Sequence, residues 1–190
     1  MLRLLVLLCT IALSAACSEP PQKEIDRAQG AIDAARAAGA ERYATPEFTA
    51  ATTALRQAHE AVEARDYRLA LSRALDASER AQQSARQAAD GKARARGEAE
   101  TGITVIATAI QQLRSTVKAA ENARLSPSLL TAARQTASSS ESALQNARTQ
   151  LKREQYLDAR DALNGIHEKI QAQMQVLSEA QKARGARKRG

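Results

Sequence analysis

Alanine returns every three or four residues along most of this chain, and that habit decides what it can fold into. Tyr67, Ala70, Ala74, Ala77, Ala81, Ser84 and Ala88 form one such stripe. Spacings of three and four place residues on one face of an α-helix. Alanine on that face lets a neighbouring helix approach closely, because interaxial distance follows the side chains at the contact. The 190 residues include 43 alanines, so about half of the 44% apolar content is alanine. Aromatics make up 2%, with no Trp and one Phe. A sandwich or barrel draws on β-branched and aromatic residues and many turns. No run alternates with period two, so the expected class is all-α. The expected architecture is two consecutive three-helix antiparallel bundles, alanine-rich and coiled-coil-like.

The other stripes run in order along the chain. Ile25, Ala28, Ile32, Ala35 and Gly39 form the first, and Phe48, Ala51, Leu55, Ala58 and Val62 the second. Beyond the alanine stripe come Ile103, Ile106, Ile110, Leu113, Val117 and Ala120. Two more begin at Leu130 and Tyr156 and end at Leu151 and Ala180. Thr45-Pro46 and Ser126-Pro127 each offer a hydroxyl N-cap before a proline at the first helical position. Asp66 caps the helix starting at Tyr67, whereas Gln155 is a poor cap for the one starting at Tyr156. Residues 90–102 (DGKARARGEAETG) hold three glycines and read as a linker, although their Ala, Arg, Lys and Glu also suit a continuous helix. The expected organisation is a signal peptide at 1–16, a lipidated tether at 17–23, three-helix units at 24–89 and 103–181 flanking that linker, and a basic tail at 182–190.

The two halves repeat. A shift of 81 puts Ile25 on Ile106, Ala28 on Ala109, Ile32 on Leu113, Thr45 on Ser126 and Pro46 on Pro127. A shift of 89 puts Leu55 on Leu144, Ala58 on Ala147, Val62 on Leu151, Tyr67 on Tyr156 and Ala70 on Ala159. The difference of eight residues, just over two helical turns, falls in the helix after Pro127 and lengthens the second hairpin.

The first residues carry an address. Arg3 is a short basic region, Leu4 to Leu13 an apolar core, and Ser14-Ala15-Ala16 a small-residue cleavage region, the pattern of a secretory signal peptide. The run is shorter than the roughly 20 apolar residues a spanning helix needs. Cys17 follows directly, and the small residues ending in Cys resemble the lipobox of bacterial lipoproteins. That resemblance implies cleavage before Cys17 and acylation there, and Ser18 after it implies sorting to the outer membrane. Ser14 departs from the pattern, since leucine is preferred there. Ordinary signal-peptidase cleavage fits the same bond and would leave a soluble periplasmic protein. Cys9 leaves with the signal, so no intrachain disulfide forms.

The +7 charge is concentrated at one end. Loss of Arg3 leaves 27 basic against 21 acidic residues, and Lys182, Arg184, Arg187, Lys188 and Arg189 all follow the last acid, Glu179. These five are the candidate contact for an anionic surface, either lipid headgroups or peptidoglycan carboxylates. The alternative is a solvated, frayed C-terminus. Nucleic acid is not expected, because no aromatics interleave the basic residues.

The segment from about Ile25 to Ala89 resembles a family of unnamed function, formed by short helical domains of exported bacterial lipoproteins. The resemblance rests on Ala44-Thr45-Pro46-Glu47, the leucine-alanine hairpin after it, and Asp66-Tyr67-Arg68-Leu69-Ala70 with its alanine ladder. Members often precede an OmpA-type peptidoglycan-binding domain, which is absent from this sequence, so peptidoglycan binding is not inherited. The family offers no catalytic residues to carry over.

Little here suggests chemistry. Ser115-Thr116-Val117-Lys118 matches the S-x-x-K of penicillin-binding enzymes, but its S-x-N and K-T-G partners are missing. His59 and His167 sit on different helices and read as solvent-face residues, so no metal site is expected. Tyr43, Phe48, Tyr67 and Tyr156 read as packing at hairpin ends. Leu69, Leu71 and Leu75 flank the alanine stripe as a candidate third surface. No catalytic residue, cofactor or small-molecule substrate is expected. The expected function is a non-enzymatic, membrane-anchored scaffold or adaptor facing the periplasm, held by acyl chains on Cys17, with a protein partner in the envelope. The alternatives are an envelope-linking protein that meets peptidoglycan or anionic lipid through the tail, and a soluble chaperone-like binding protein.

Overall fold

The computed structural model describes residues 19–187. Among them the chain is all-α, with helices packed against one another and no strand. The helices are α1 (Gln22–Ala37), α2 (Ala40–Tyr43), α3 (Thr45–Glu63), α4 (Tyr67–Asn122), α5 (Pro127–Lys152), α6 (Tyr156–Asp161) and α7 (Ile166–Arg187). The described residues divide into two compact units, and the division, between Gly91 and Lys92, falls inside α4. No described helix is long and apolar enough to cross a membrane.

In the first unit, α1, α2, α3 and the start of α4 close around one core. Its buried apolar side chains larger than alanine are, among the described residues, Ile25, Ile32, Phe48 and Leu55; α4 adds Ala74, Ala77, Ala81 and Ala88. Ser84 lies on the same face, wholly buried, and its hydroxyl donates to the Ala81 carbonyl, which satisfies it without a partner on another helix. In the second unit the core is richer in large side chains: Ile106, Ile110, Leu113 and Val117 from α4 meet Leu144 from α5 and Ile170 and Leu177 from α7.

Three hairpin turns are built alike. α3, α4 and α5 each end with a left-handed residue, at Arg65, Arg124 and Glu154 respectively. In each, the next amide donates five residues back, from Asp66 to Ala61, Leu125 to Ala120 and Gln155 to Gln150. This is the Schellman closure, which satisfies carbonyls left free at a helix end. The turns at Arg65 and Glu154 share their bonds at a shift of 89. The Asp66 carboxylate accepts from the Leu69 amide at 3.0 Å, the cap expected of it. Gln155 makes no side-chain cap. The second hairpin's helix is longer, with α5 running 26 residues against 19 for α3.

Residues 90–102 are helical throughout, the continuous-helix alternative, and the division between the two units falls inside them. Two of their glycines lie where side chains would collide. A Cβ at Gly91 would stand 2.8 Å from the Tyr43 carbonyl oxygen, and one at Gly102 3.0 Å from Leu163 Cδ1. These glycines serve close approach inside a helix, which Ala, Arg and Glu around them sustain. Thr45 is not an N-cap: Ala44 holds that place, and the Thr45 hydroxyl donates to the Glu41 carbonyl at 2.6 Å. The stripe from Tyr156 to Ala180 is not one helix, because residues 162–165 turn, with Gly165 at φ +71°. The C-terminal segment is not frayed as far as Arg187, because α7 includes it.

The glycines give a signed prediction. Gly91→Ala should destabilise by about 1–3 kcal/mol, because the carbonyl it meets belongs to backbone and yields only with α2. Gly97→Ala should stabilise by up to about 1 kcal/mol, because nothing lies within 4 Å of its Cβ position and alanine favours helix. Urea unfolding of the two variants checks both signs.

Candidate functional site

One concavity lies in the second unit. One face of α4 forms its first wall through Arg94, Gly97, Glu98, Thr101, Gly102 and Val105. Spacings of three and four bring these residues into line. Opposite lie Arg160 on α6, the turn at Leu163, Asn164 and Gly165, and His167 and Glu168 in the first turn of α7. The groove has a volume of about 580 Å³. Its apolar part is Val105, Ile106 and Leu163.

Its charges differ in their partners. Arg160 donates to Asp161 at 2.8 Å and to Glu98 at 3.4 Å. The hydrogen bond to Asp161 leads the effects that hold the Arg160 guanidinium above its usual pKa. Arg94 makes no ion pair or hydrogen bond among the described residues. His167 is partly buried, and its Nδ1 is enclosed with no hydrogen-bond partner among the described residues. The solvent-face reading of His167 is therefore corrected: the residue is partly buried, between Ile166, which packs against the core, and Ile170, which is in it. His59 does match that reading; it is exposed on a smaller groove of the first unit with Glu60 and Glu63. No group of three or more His, Cys, Asp or Glu among the described residues is placed to hold a metal.

The other candidates fall as follows. Cys17, Lys188 and Arg189 lie outside the described residues, and Arg187 closes α7. Lys182 and Arg184 are exposed on α7. The Arg184 guanidinium donates to the carbonyl of Arg124, where α4 ends. A cation there suits the negative end of the helix dipole. Arg184 thus does structural work besides adding charge. Ser115 is exposed, and its hydroxyl donates to the Gln112 carbonyl at 2.8 Å. Phe48 is buried beneath Arg36, whose guanidinium carbon lies 5.6 Å from the ring centre, and Tyr156 is buried with Lys92 Nζ at 5.7 Å. Leu69, Leu71 and Leu75 are exposed, and their positions divide them between the two sides of the alanine stripe.

Compared with known proteins, the chain matches no family model, no curated protein and no solved structure.

Proposed function

We propose that this chain is a non-enzymatic lipoprotein of the bacterial cell envelope, anchored at the outer membrane through Cys17 and facing the periplasm. Its helical body serves as a scaffold or adaptor for a protein partner. The observation that carries this reading is the apolar run Leu4 to Leu13, closed by Ser14-Ala15-Ala16 and ending on Cys17. The resemblance of residues from about Ile25 to Ala89 to helical domains of exported lipoproteins supports it. So does the start of α1 at Gln22, which keeps the folded part within about 20 Å of the anchor. Several acyl chains hold a protein durably, at about 0.8 kcal/mol per buried methylene.

Cell fractionation tests the anchor. The wild type should sediment with the outer membrane and stay there through a high-salt wash, and Cys17→Ala should move to the soluble fraction. Equal distribution of the two would remove the anchor from the account.

A second reading, an envelope-linking protein that reaches peptidoglycan or anionic lipid through its basic end, is favoured by the exposed Lys182 and Arg184 on α7. Purified sacculi should then retain the protein at low salt and release it at high salt. No retention at either salt sinks that reading for peptidoglycan.

A further inference from the structure

We propose that the first unit lies down on the bilayer that anchors the chain, through the outer face shared by α1 and α4. Leu71 and Leu75 meet the acyl boundary there, and Lys23, Arg27, Arg68 and Arg86 meet the lipid phosphates. This orientation rests on the reading of the chain as membrane-anchored through Cys17.

Contacts inside the unit fix which face is which. Arg80 of α4 reaches Glu47 of α3 at 3.0 Å, so the flank of α4 that carries Arg80 lies against α3. Leu71 and Leu75 are on the other flank of the alanine stripe, with Ser78, which is buried, and Ala85, which packs against the core. That flank therefore lies against α1. On α1, Gln29 and Arg36 share a groove with α3, which leaves Arg27, Ala31 and Ala34 on the side toward α4. Arg36 over Phe48 and Glu47 with Arg80 hold the three helices in register. Counted back from those contacts, α1 starts about 21 Å away and α4 about 20 Å away. Both starts are thus at one end of the unit, the end from which the chain leads back to Cys17.

Charge then selects the occupant. Helical spacing lines up Arg68, Leu71, Leu75 and Arg86 on α4 and Lys23 and Arg27 on α1, all but the leucines cationic. Glu24, Glu79 and Asp90 stand only at the margins of this face. None of its four cations makes an ion pair or a side-chain hydrogen bond among the described residues. Elsewhere on the unit, Arg36 pairs with Asp33 and Glu41, Arg56 with Glu60, and Arg80 with Glu47 and Asp76. Those three are answered within the protein, whereas the four on this face are left for an outside anion. Leu75 is 52% exposed among them. Exposed leucine beside unpaired cations matches the bilayer surface, where acyl chain and phosphate meet. A tether of about 20 Å lets the unit lie flat on this face beside its anchor.

The mature chain beginning at Cys17 has one thiol and no tryptophan. Coupling that thiol to a maleimide lipid supplies the tether whether or not cells acylate Cys17, so this test and the fractionation test of the anchor fail independently. The vesicles are phosphatidylcholine and phosphatidylglycerol, roughly 3:1, with brominated acyl chains. On them Leu75→Trp should shift its emission to the blue and lose more than half its intensity to bromine. His59→Trp, exposed on the groove between α1 and α3, should keep the emission it has in solution. Arg27→Glu combined with Arg68→Glu should keep the circular dichroism and return the Leu75→Trp emission to its solution value. A silent Leu75→Trp reporter, equal quenching of the two reporters, or quenching untouched by the charge reversals would overturn the proposal. A Leu75→Trp reporter that is silent on vesicles but responds to purified sacculi would overturn it in favour of peptidoglycan.

Discussion

Ile32→Ala should cost the first unit about 3–4 kcal/mol, within the range for emptying a buried aliphatic site. Ile32 is 1% exposed and is one of four buried apolar side chains in that core larger than alanine. Its neighbours along α1 are Ala28 and Ala35, and the apolar residues that α4 presents to this core are all alanine. Such short side chains have no rotamers with which to fill the void, so relaxation recovers little. Leu113→Ala should cost a similar amount in the second unit, but that core has eight other large side chains with which to share the loss. Amide hydrogen exchange resolves the two. In Ile32→Ala, protection should fall by more than a hundredfold in α1 and α3. A loss under tenfold would mean that the alanine core holds without its isoleucines.

The second large effect is a change of sign. Ala77→Leu adds three buried carbons, which area alone would credit with about 2 kcal/mol of stabilisation. The expected result is instead a destabilisation of about 1–3 kcal/mol. Ala77 is fully buried in the seam that α4 shares with α1 and α3, and the seam is narrow because alanine lines it. A leucine there must push helices apart along several turns, separating Ala74 and Ala81 from their contacts as well. Ala89→Leu, on the exposed side of the same helix, should change stability by less than about 0.5 kcal/mol. Urea midpoints of the two variants give the comparison, and a gain from Ala77→Leu would show a seam that opens freely.

These effects also explain what could be read in advance. The buried stripes were legible because helical periodicity survives replacement of large residues by alanine: Ile25, Ala28, Ile32 and Ala35 are all buried. The cap at Asp66 and the proline-led start of α5 were legible because each is a local device. Gly91 was misleading because a glycine that breaks a helix and one that admits a neighbouring backbone are the same letter. Only the nearness of Tyr43, 48 residues earlier, separates them. The corner after α6 left a trace, since Asn164-Gly165 is a turn dipeptide. Regular spacing of Leu163, Ile166 and Ile170 across it concealed the break. His167 is a related case. Its acidic neighbour suggested solvent, while the partly buried residue lines a groove whose other wall comes from residues about 60 positions away on α4.

The central claim, a lipid-anchored scaffold, rests on one atom, the sulfur of Cys17. Growth with a radiolabelled fatty acid, followed by mass analysis of the mature N-terminal peptide, tests it most directly. The account predicts label on the wild type, none on Cys17→Ala, and an acylated peptide beginning at Cys17. An unmodified peptide beginning at Cys17, without label, would contradict it and leave a soluble periplasmic binding protein as the better reading.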